Sequence, residues 1–403
     1  MTTLTTYGQF DGRHWETGTI ANFLARRGVH APHTGRPYSE ALLLGVSGGA
    51  VMGYFSFAYE GYEPMARILT RNTFDPWDTM LSRLGVAQNV QRTAKPDTAA
   101  RHLTDALDEG TPAIVWADMW SLPYNALRWD DGMWAMFPVL VYGYEEAAGV
   151  VHMADRARVG LTVTPDELAA ARARAKNNKH RLITLEAPDP AKLPAAVGAG
   201  IRDCLRLYTE APPKGSRNNF GLAAYRWWAE LLTKPKARLS WEREFPAGPK
   251  MLAGLTSAFT DVALFGKDSG APADRGLYAD FLDEAAVLLK RPGLAAAAAQ
   301  FRVAAERWGA LAHVLLPDEV DPWRETRELL LRRHDAFLAR GNGAREEMLA
   351  AAARLDAIAA DVAADFPLTQ PQVEAHRMCI AEHVMAVHDV EAAAVELMKA
   401  AMA

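Results

Sequence analysis

Cysteine is scarce in this 403-residue chain: Cys204 and Cys379 are the only two, and they lie far apart. That count argues against a secreted disulfide framework and makes a reducing cytoplasm the expected setting. Basic runs are lacking as well. The formal charge is −5 and the lysines and arginines are scattered, so the concentrated cationic footprint needed to hold nucleic acid is missing. No stretch approaches the roughly 20 apolar residues that span a bilayer, so no membrane partner is expected. The opening MTTLTTYGQFDGRHWE has no basic segment followed by an apolar one, which excludes a signal peptide of the usual kind. Internal repeats and low-complexity tracts are absent too.

What is present is the profile of a globular protein, half hydrophobic and 23% charged. Its length suggests two domains, and the composition changes near residue 190. Before that point, short β-type runs alternate with helical segments. Thr111 to Met119, Phe137 to Glu145, Val150 to Asp155 and Arg181 to Pro188 read as strands. Gly149 supplies the turn of an antiparallel hairpin between the second and third. Thr164-Pro165-Asp166-Glu167 gives an N-cap, a proline at the first helical position and acidic residues in the first turn, predicting a helix to about Lys176. After Pro194, Ala-rich segments with helical spacing dominate. Breaks such as Asp274-Arg275-Gly276 and Gly341-Asn342-Gly343 separate them, and Ala211 to Gly221 reads as a surface loop. The expected fold is α+β over residues 1–190, followed by a mostly α-helical domain over 195–403.

Two N-terminal segments, GRHWETGTIANFLARRG (Gly12 to Gly28) and YSEALLLGVSGGAVMGYF (Tyr38 to Phe55), resemble the opening of the butirosin-biosynthesis protein H family. In that family the pattern is Gly-x-His-Cys-Glu-Thr, a helix, then Ser-Glu-x-x-x-x-Gly with a glycine-rich continuation. Val141 to Glu145 and Ala154-Asp155-Arg156 are similar to its central hairpin. Leu277 to Leu289 is similar to the helical domain that usually follows. The resemblance implies a papain-like cysteine-peptidase fold used for acyl transfer from a carrier protein to an amine. A cysteine at a helix start has its thiolate favoured by the helix dipole and a neighbouring histidine, and an acid on the next strand orients that histidine.

Carried onto this chain, the resemblance puts the nucleophile position on Trp15, between His14 and Glu16, and the histidine position on Phe137. Asp155 falls where the orienting acid would be. Indole and phenyl rings supply neither nucleophile nor base, so the family's thioester chemistry is not expected. Two readings stay open. One is a non-catalytic module that binds a small molecule or a carrier-borne acyl group. The other is an acyl-transfer or amide-forming enzyme without a cysteine nucleophile, with His14, Glu16 and Asp155 as its catalytic candidates. Specialised metabolism is the implied setting, no cofactor is expected, and a homodimer is left open.

Three further constellations stand out. Gly45-Val46-Ser47-Gly48-Gly49 satisfies Gly-x-Ser-x-Gly, which raises a serine hydrolase built on Ser47 with Asp131 as partner; yet the preceding residues look like the end of a helix, where a nucleophile elbow needs a strand. The segment Trp120 to Trp134 is loop-like and rich in tryptophan and methionine. With Trp15 and Phe137 it could wall an apolar pocket, for which Asp118, Tyr124 and Asn125 are candidate polar anchors. Finally, His376, Cys379 and His383 share one helical face at metal-compatible spacing, but one helix cannot enclose an ion. No metal site is expected there.

Overall fold

The computed structural model describes residues 2–4, 6–265 and 272–403. Its first part runs β1 (Thr2–Thr3), α1 (Thr17–Arg26), α2 (Glu40–Val46), β2 (Ala50–Phe57), β3 (Met65–Arg71), α3 (Pro76–Leu84) and β4 (Gln88–Gln91). There follow α4 (Pro96–Asp108), β5 (Ala113–Asp118), β6 (Met136–Glu145), β7 (Val150–Ala154), β8 (Leu161–Val163), α5 (Pro165–Ala173) and β9 (Leu182–Leu185). The remaining named elements are α6 (Leu193–Thr209), α7 (Gly221–Thr233), α8 (Trp241–Glu244), α9 (Pro249–Phe259) and α10 (Arg275–Leu288), then α11 (Gly293–Leu315), α12 (Asp321–Arg340), α13 (Arg345–Ala364) and α14 (Gln370–Met402). The chain is α+β, with a sheet domain first and a mostly helical region after it. No described helix is long and apolar enough to cross a membrane.

Contacts divide the chain into two compact units. The first comprises Met1–Leu43, Leu81–Leu193 and Arg332–Ala352, and the second Leu44–Met80, Pro194–Leu331 and Ala353–Ala403. The passage at Leu193/Pro194 falls at the change of composition. Leu44–Met80 and Arg332–Ala352 each belong to the unit on the other side of that change.

The first unit is organised by a seven-stranded antiparallel sheet in the order β4-β9-β5-β6-β7-β8, with β1 added to β6. Alternate residues of its central strands, Val115 and Ala117, Val139 and Val141, Val151 and Met153, join one buried cluster with Leu103 and Leu107 of α4 and Leu168 of α5. This is the period-two alternation of a strand that packs helices on one face. The β6–β7 hairpin turns at Gly149, whose φ of 68° is cheap only without a Cβ. Helix α5 starts where the sequence places it: Thr164 Oγ1 accepts from Glu167 N, and Glu167 Oε2 accepts from Thr164 N at 2.7 Å.

The second unit contains the β2–β3 ribbon and the helices. Helix α11 buries Phe301, Ala304, Ala305, Trp308, Leu311, Ala312 and Leu315, a stripe at three- and four-residue spacing in which alanines allow close helix approach. The Asp274-Arg275-Gly276 break falls one residue earlier than the sequence suggests. Asp274 has a φ of 61° and precedes α10, whereas Arg275 and Gly276 lie within it. The reason is the Arg275 side chain, which is fully buried and pairs with Glu391 of α14 through Nε at 2.6 Å and Nη2 at 3.2 Å. Glu391 also accepts from Tyr208 Oη (2.6 Å) and Trp308 Nε1 (2.8 Å), and Arg275 Nη1 donates to the carbonyls of Thr70 and Ala273. Burial works to raise the Glu391 pKa, but the guanidinium and the donated hydroxyls hold it below the ordinary carboxylate value.

A buried ion pair contributes little net stability when complete but is costly to break. Glu391→Gln leaves the Arg275 charge uncompensated and should lower stability by about 3–5 kcal/mol. Urea denaturation of the variant measures this.

Candidate functional site

The site is built where α1 begins beside β6. Thr19 Oγ1 of α1 donates to the Pro138 carbonyl at 3.3 Å, which ties the first turn of α1 to the start of β6. The loop into α1 is tight because two glycines touch: a Cβ on Gly12 would lie 2.2 Å from Gly18 O. Gly12 N donates to the buried Asn22 Oδ1 at 2.9 Å.

Glu40, the first residue of α2, then clamps this loop. Its carboxylate accepts from Arg13 N (2.8 Å), His14 N (2.9 Å) and Thr17 Oγ1 (2.7 Å). Hydrogen bonds to an ionised acceptor are the stronger kind. Arg13 adds a second tie, its Nη1 reaching the carbonyls of Phe10 (2.7 Å), Gly12 (3.1 Å) and Arg156 (3.2 Å). Trp15 is thereby presented just before the α1 N-cap, Glu16.

Trp15 and Phe137 are in ring contact, with centroids 4.2 Å apart and planes tilted by 32°. The His14 ring is also in contact with Trp15, with centroids 4.8 Å apart. His14 Nδ1 accepts from Glu16 N at 3.2 Å, so the neutral ring carries its proton on Nε2. His14, Trp15, Glu16 and Phe137 are all half-buried.

Asp155, just after β7, is buried and bonded to Arg156 Nε and Nη2, both at 3.2 Å. Arg156 Nη2 also donates to Asn125 Oδ1 at 2.6 Å. The guanidinium lies 5.8 Å from the Trp15 ring centroid and 5.1 Å from that of Phe337, within reach of a cation–π attraction. The Tyr124 hydroxyl donates to Asp155 Oδ2 at 3.3 Å, and burial, then the Asp155 charge, keeps it protonated well above its ordinary range.

The sequence-derived residues thus fall into two groups. Trp15, His14, Phe137, Asp155, Tyr124 and Asn125 are joined through ring contacts and Arg156. Asp118 has a different task. It is fully buried, and its carboxylate accepts from Ser121 N and Oγ (3.1 and 2.7 Å) and from Ala135 N (2.8 Å). It fastens both ends of the 119–135 loop. Asn125 spends its amide on the Met119 carbonyl and its oxygen on Arg156. Farther along the loop, Arg174 donates to the carbonyls of Asp130 and Asp131 and lies 4.5 Å from the Trp129 ring centroid. Trp129 and Trp134 remain 56% and 53% exposed.

Sequence reasoning missed the parts played by Glu40, Arg13 and Arg156. Glu40 stood inside the quoted Ser-Glu pair and Arg156 inside Ala-Asp-Arg, so their motifs were visible though their partners were not. Phe337 lies 181 positions beyond Arg156, 337 less 156, and Arg333, which donates to the Ala126 carbonyl at 2.9 Å, lies 207 beyond its partner; no local signal points to them.

Residues 14–156 match the family described as butirosin biosynthesis protein H, N-terminal. The chain carries an N-terminal domain of this family. The match opens at His14 and closes at Arg156, so it brackets Trp15, Phe137 and Asp155 and includes the whole 119–135 loop. No curated protein matches the chain.

The two other constellations lie elsewhere. Gly45 to Gly49 links α2 to β2, a helix-to-strand turn, opposite to the strand-to-helix order of a nucleophile elbow. Ser47 Oγ is buried and donates to the Leu44 carbonyl at 2.7 Å. On α14, His376 Nε2 is bonded to the Val314 carbonyl (2.8 Å) and His383 Nδ1 to the Cys379 carbonyl (2.9 Å). Among the described residues no group of three or more His, Cys, Asp and Glu side chains is placed to hold a metal ion.

Replacing Glu40 by Ala strips the clamp from two backbone N–H groups and one hydroxyl. Glu40→Ala should cost about 2–4 kcal/mol in urea unfolding, with Glu40→Gln intermediate because its amide oxygen can still accept.

Proposed function

We propose that the N-terminal unit is a diverged acyltransferase-type domain that binds a thioester-borne acyl group, or a small flat mimic of one, without cleaving it. The proposal includes the family's papain-like arrangement: a helix that starts at the nucleophile position, facing a strand that carries the histidine position and a following strand that ends at the orienting acid. One observation carries the reading. The positions mapped to thiol and imidazole, Trp15 and Phe137, are in direct ring contact at 4.2 Å, while the mapped acid Asp155 is engaged by Arg156. Such a site offers a flat apolar face bordered by a guanidinium, which suits an acyl chain or planar ligand. At the two mapped positions, indole and phenyl rings supply neither a nucleophile nor a base.

The rival reading is an acyl-transfer or amide-forming enzyme that uses His14 and Glu16 for proton transfer. The His14 bond to the Glu16 backbone favours binding over catalysis, because it commits one ring nitrogen to fixing the start of α1.

Calorimetric titration with the butanoyl thioester of N-acetylcysteamine tests the proposal, with chromatography of the recovered ligand. The expected result is saturable binding with the thioester intact, weakened about tenfold or more by Trp15→Ala, as for a buried aromatic anchor. Consumption of the thioester by the wild type would establish the rival reading. Equal binding by Trp15→Ala would remove the site from Trp15.

A further inference from the structure

The second unit contains a cavity of about 290 Å³ between α6 and the segment that leads from β3 into α3. Helix α6 contributes Asp203, Arg206 and Leu207, which share one of its faces with Glu210 just past its end. Phe74 and Thr79 come from the other segment. Apolar side chains joined by a few polar groups are the usual make-up of a small-molecule site, and the volume stands at the lower end of their range.

The charges in the wall select the ligand. Arg206 pairs with Asp203 one turn before it, so these two charges largely cancel. The Glu210 carboxylate has no hydrogen-bond or ion-pair partner among the described residues. Glu210 is exposed, and the Thr79 hydroxyl, also without a partner, is not sealed from solvent. A molecule in the cavity can therefore reach both. The wall carries one uncompensated negative charge, which favours a cation and repels an anion. Phe74 adds an aromatic ring. Its N–H donates to Asn72 Oδ1 at 2.9 Å, and its ring packs on Phe220 with centroids 5.0 Å apart, so the ring is held in place. An ammonium beside such a ring gains a cation–π attraction.

We infer that this cavity is a binding site for a small organic ammonium ion with an apolar body, the ammonium donating to Glu210 and Thr79 and the body lying against Phe74 and Leu207. The site belongs wholly to the second unit. It does not depend on the function proposed for the N-terminal unit.

The test uses phenethylamine, with 2-phenylethanol as its uncharged counterpart and 3-phenylpropanoate as the anion, each titrated against the full chain by saturation-transfer NMR. Saturable binding of the amine is expected, with the alcohol about three- to fivefold weaker, as for an ion pair at an exposed carboxylate; the anion should not bind. Raising sodium chloride to about 1 M should weaken the amine and leave the alcohol unchanged, because salt screens only the charged partner. Glu210→Gln keeps the shape of the wall and should abolish the preference for the amine. Ala211→Trp places a large ring at the exposed rim and should block both the amine and the alcohol while circular dichroism stays unchanged. No saturable binding of the amine, equal binding of amine and alcohol in the wild type, a preference retained in Glu210→Gln, or undiminished binding in Ala211→Trp would each overturn the inference.

Discussion

The N-terminal site depends on a single carboxylate. Glu40 gathers the N–H groups of Arg13 and His14 and the hydroxyl of Thr17, and this fixes the loop that delivers Trp15 to Phe137. Without an acceptor there, two adjacent backbone donors in a loop closed by a glycine–glycine contact would need other partners. The constraint acts in sequence: the Gly12–Gly18 approach sets the loop's path, Glu40 locks it, and Arg13 links it to the backbone of Arg156 after β7. The contact between the two aromatic rings rests on this backbone.

Much of the fold was legible because its signals are local. The strands β5, β7 and β9 lie within the apolar runs read from the sequence, β6 begins one residue before its run, and α5 begins at the Thr164 cap because a capping box needs only four consecutive residues. The β2–β3 ribbon was not among the strands read. Its sequence, AVMGYFSF, is buried through Tyr54 and lacks the apolar–polar alternation that marks a half-exposed strand. The exchange of segments between the two compact units escaped for a different reason. Membership of Leu44–Met80 in the second unit rests on long-range ties, such as the Thr70 carbonyl on Arg275 and the Arg71–Asp274 pair at 2.7 Å, which composition does not encode.

The family resemblance named Trp15, Phe137 and Asp155, and the rings of the first two meet although their positions are 122 apart, 137 less 15. A carboxylate beside a loop looks the same in sequence whether or not it pins the loop's own backbone, so the bonds from Ser121 and Ala135 to Asp118 were not legible. Arg156 was unread as a partner because its role is set by what surrounds it. A guanidinium that neutralises Asp155, binds Asn125 and lies near Trp15 leaves the acid with a partner other than histidine.

The central claim is that Trp15 and Phe137 occupy the places of a thiol and its imidazole. Restoring both tests it most directly: Trp15→Cys combined with Phe137→His is incubated with the butanoyl thioester of N-acetylcysteamine, and intact mass spectrometry follows the transfer of the butanoyl group to the introduced thiol. In that step the thiolate attacks the carbonyl and the thiol of N-acetylcysteamine departs. Acylation at position 15 of the double variant, at least about tenfold faster than in Trp15→Cys alone, is the predicted result, since a positioned base assists the nucleophile. Equal rates in the double and single variants, with both folded, would contradict the account.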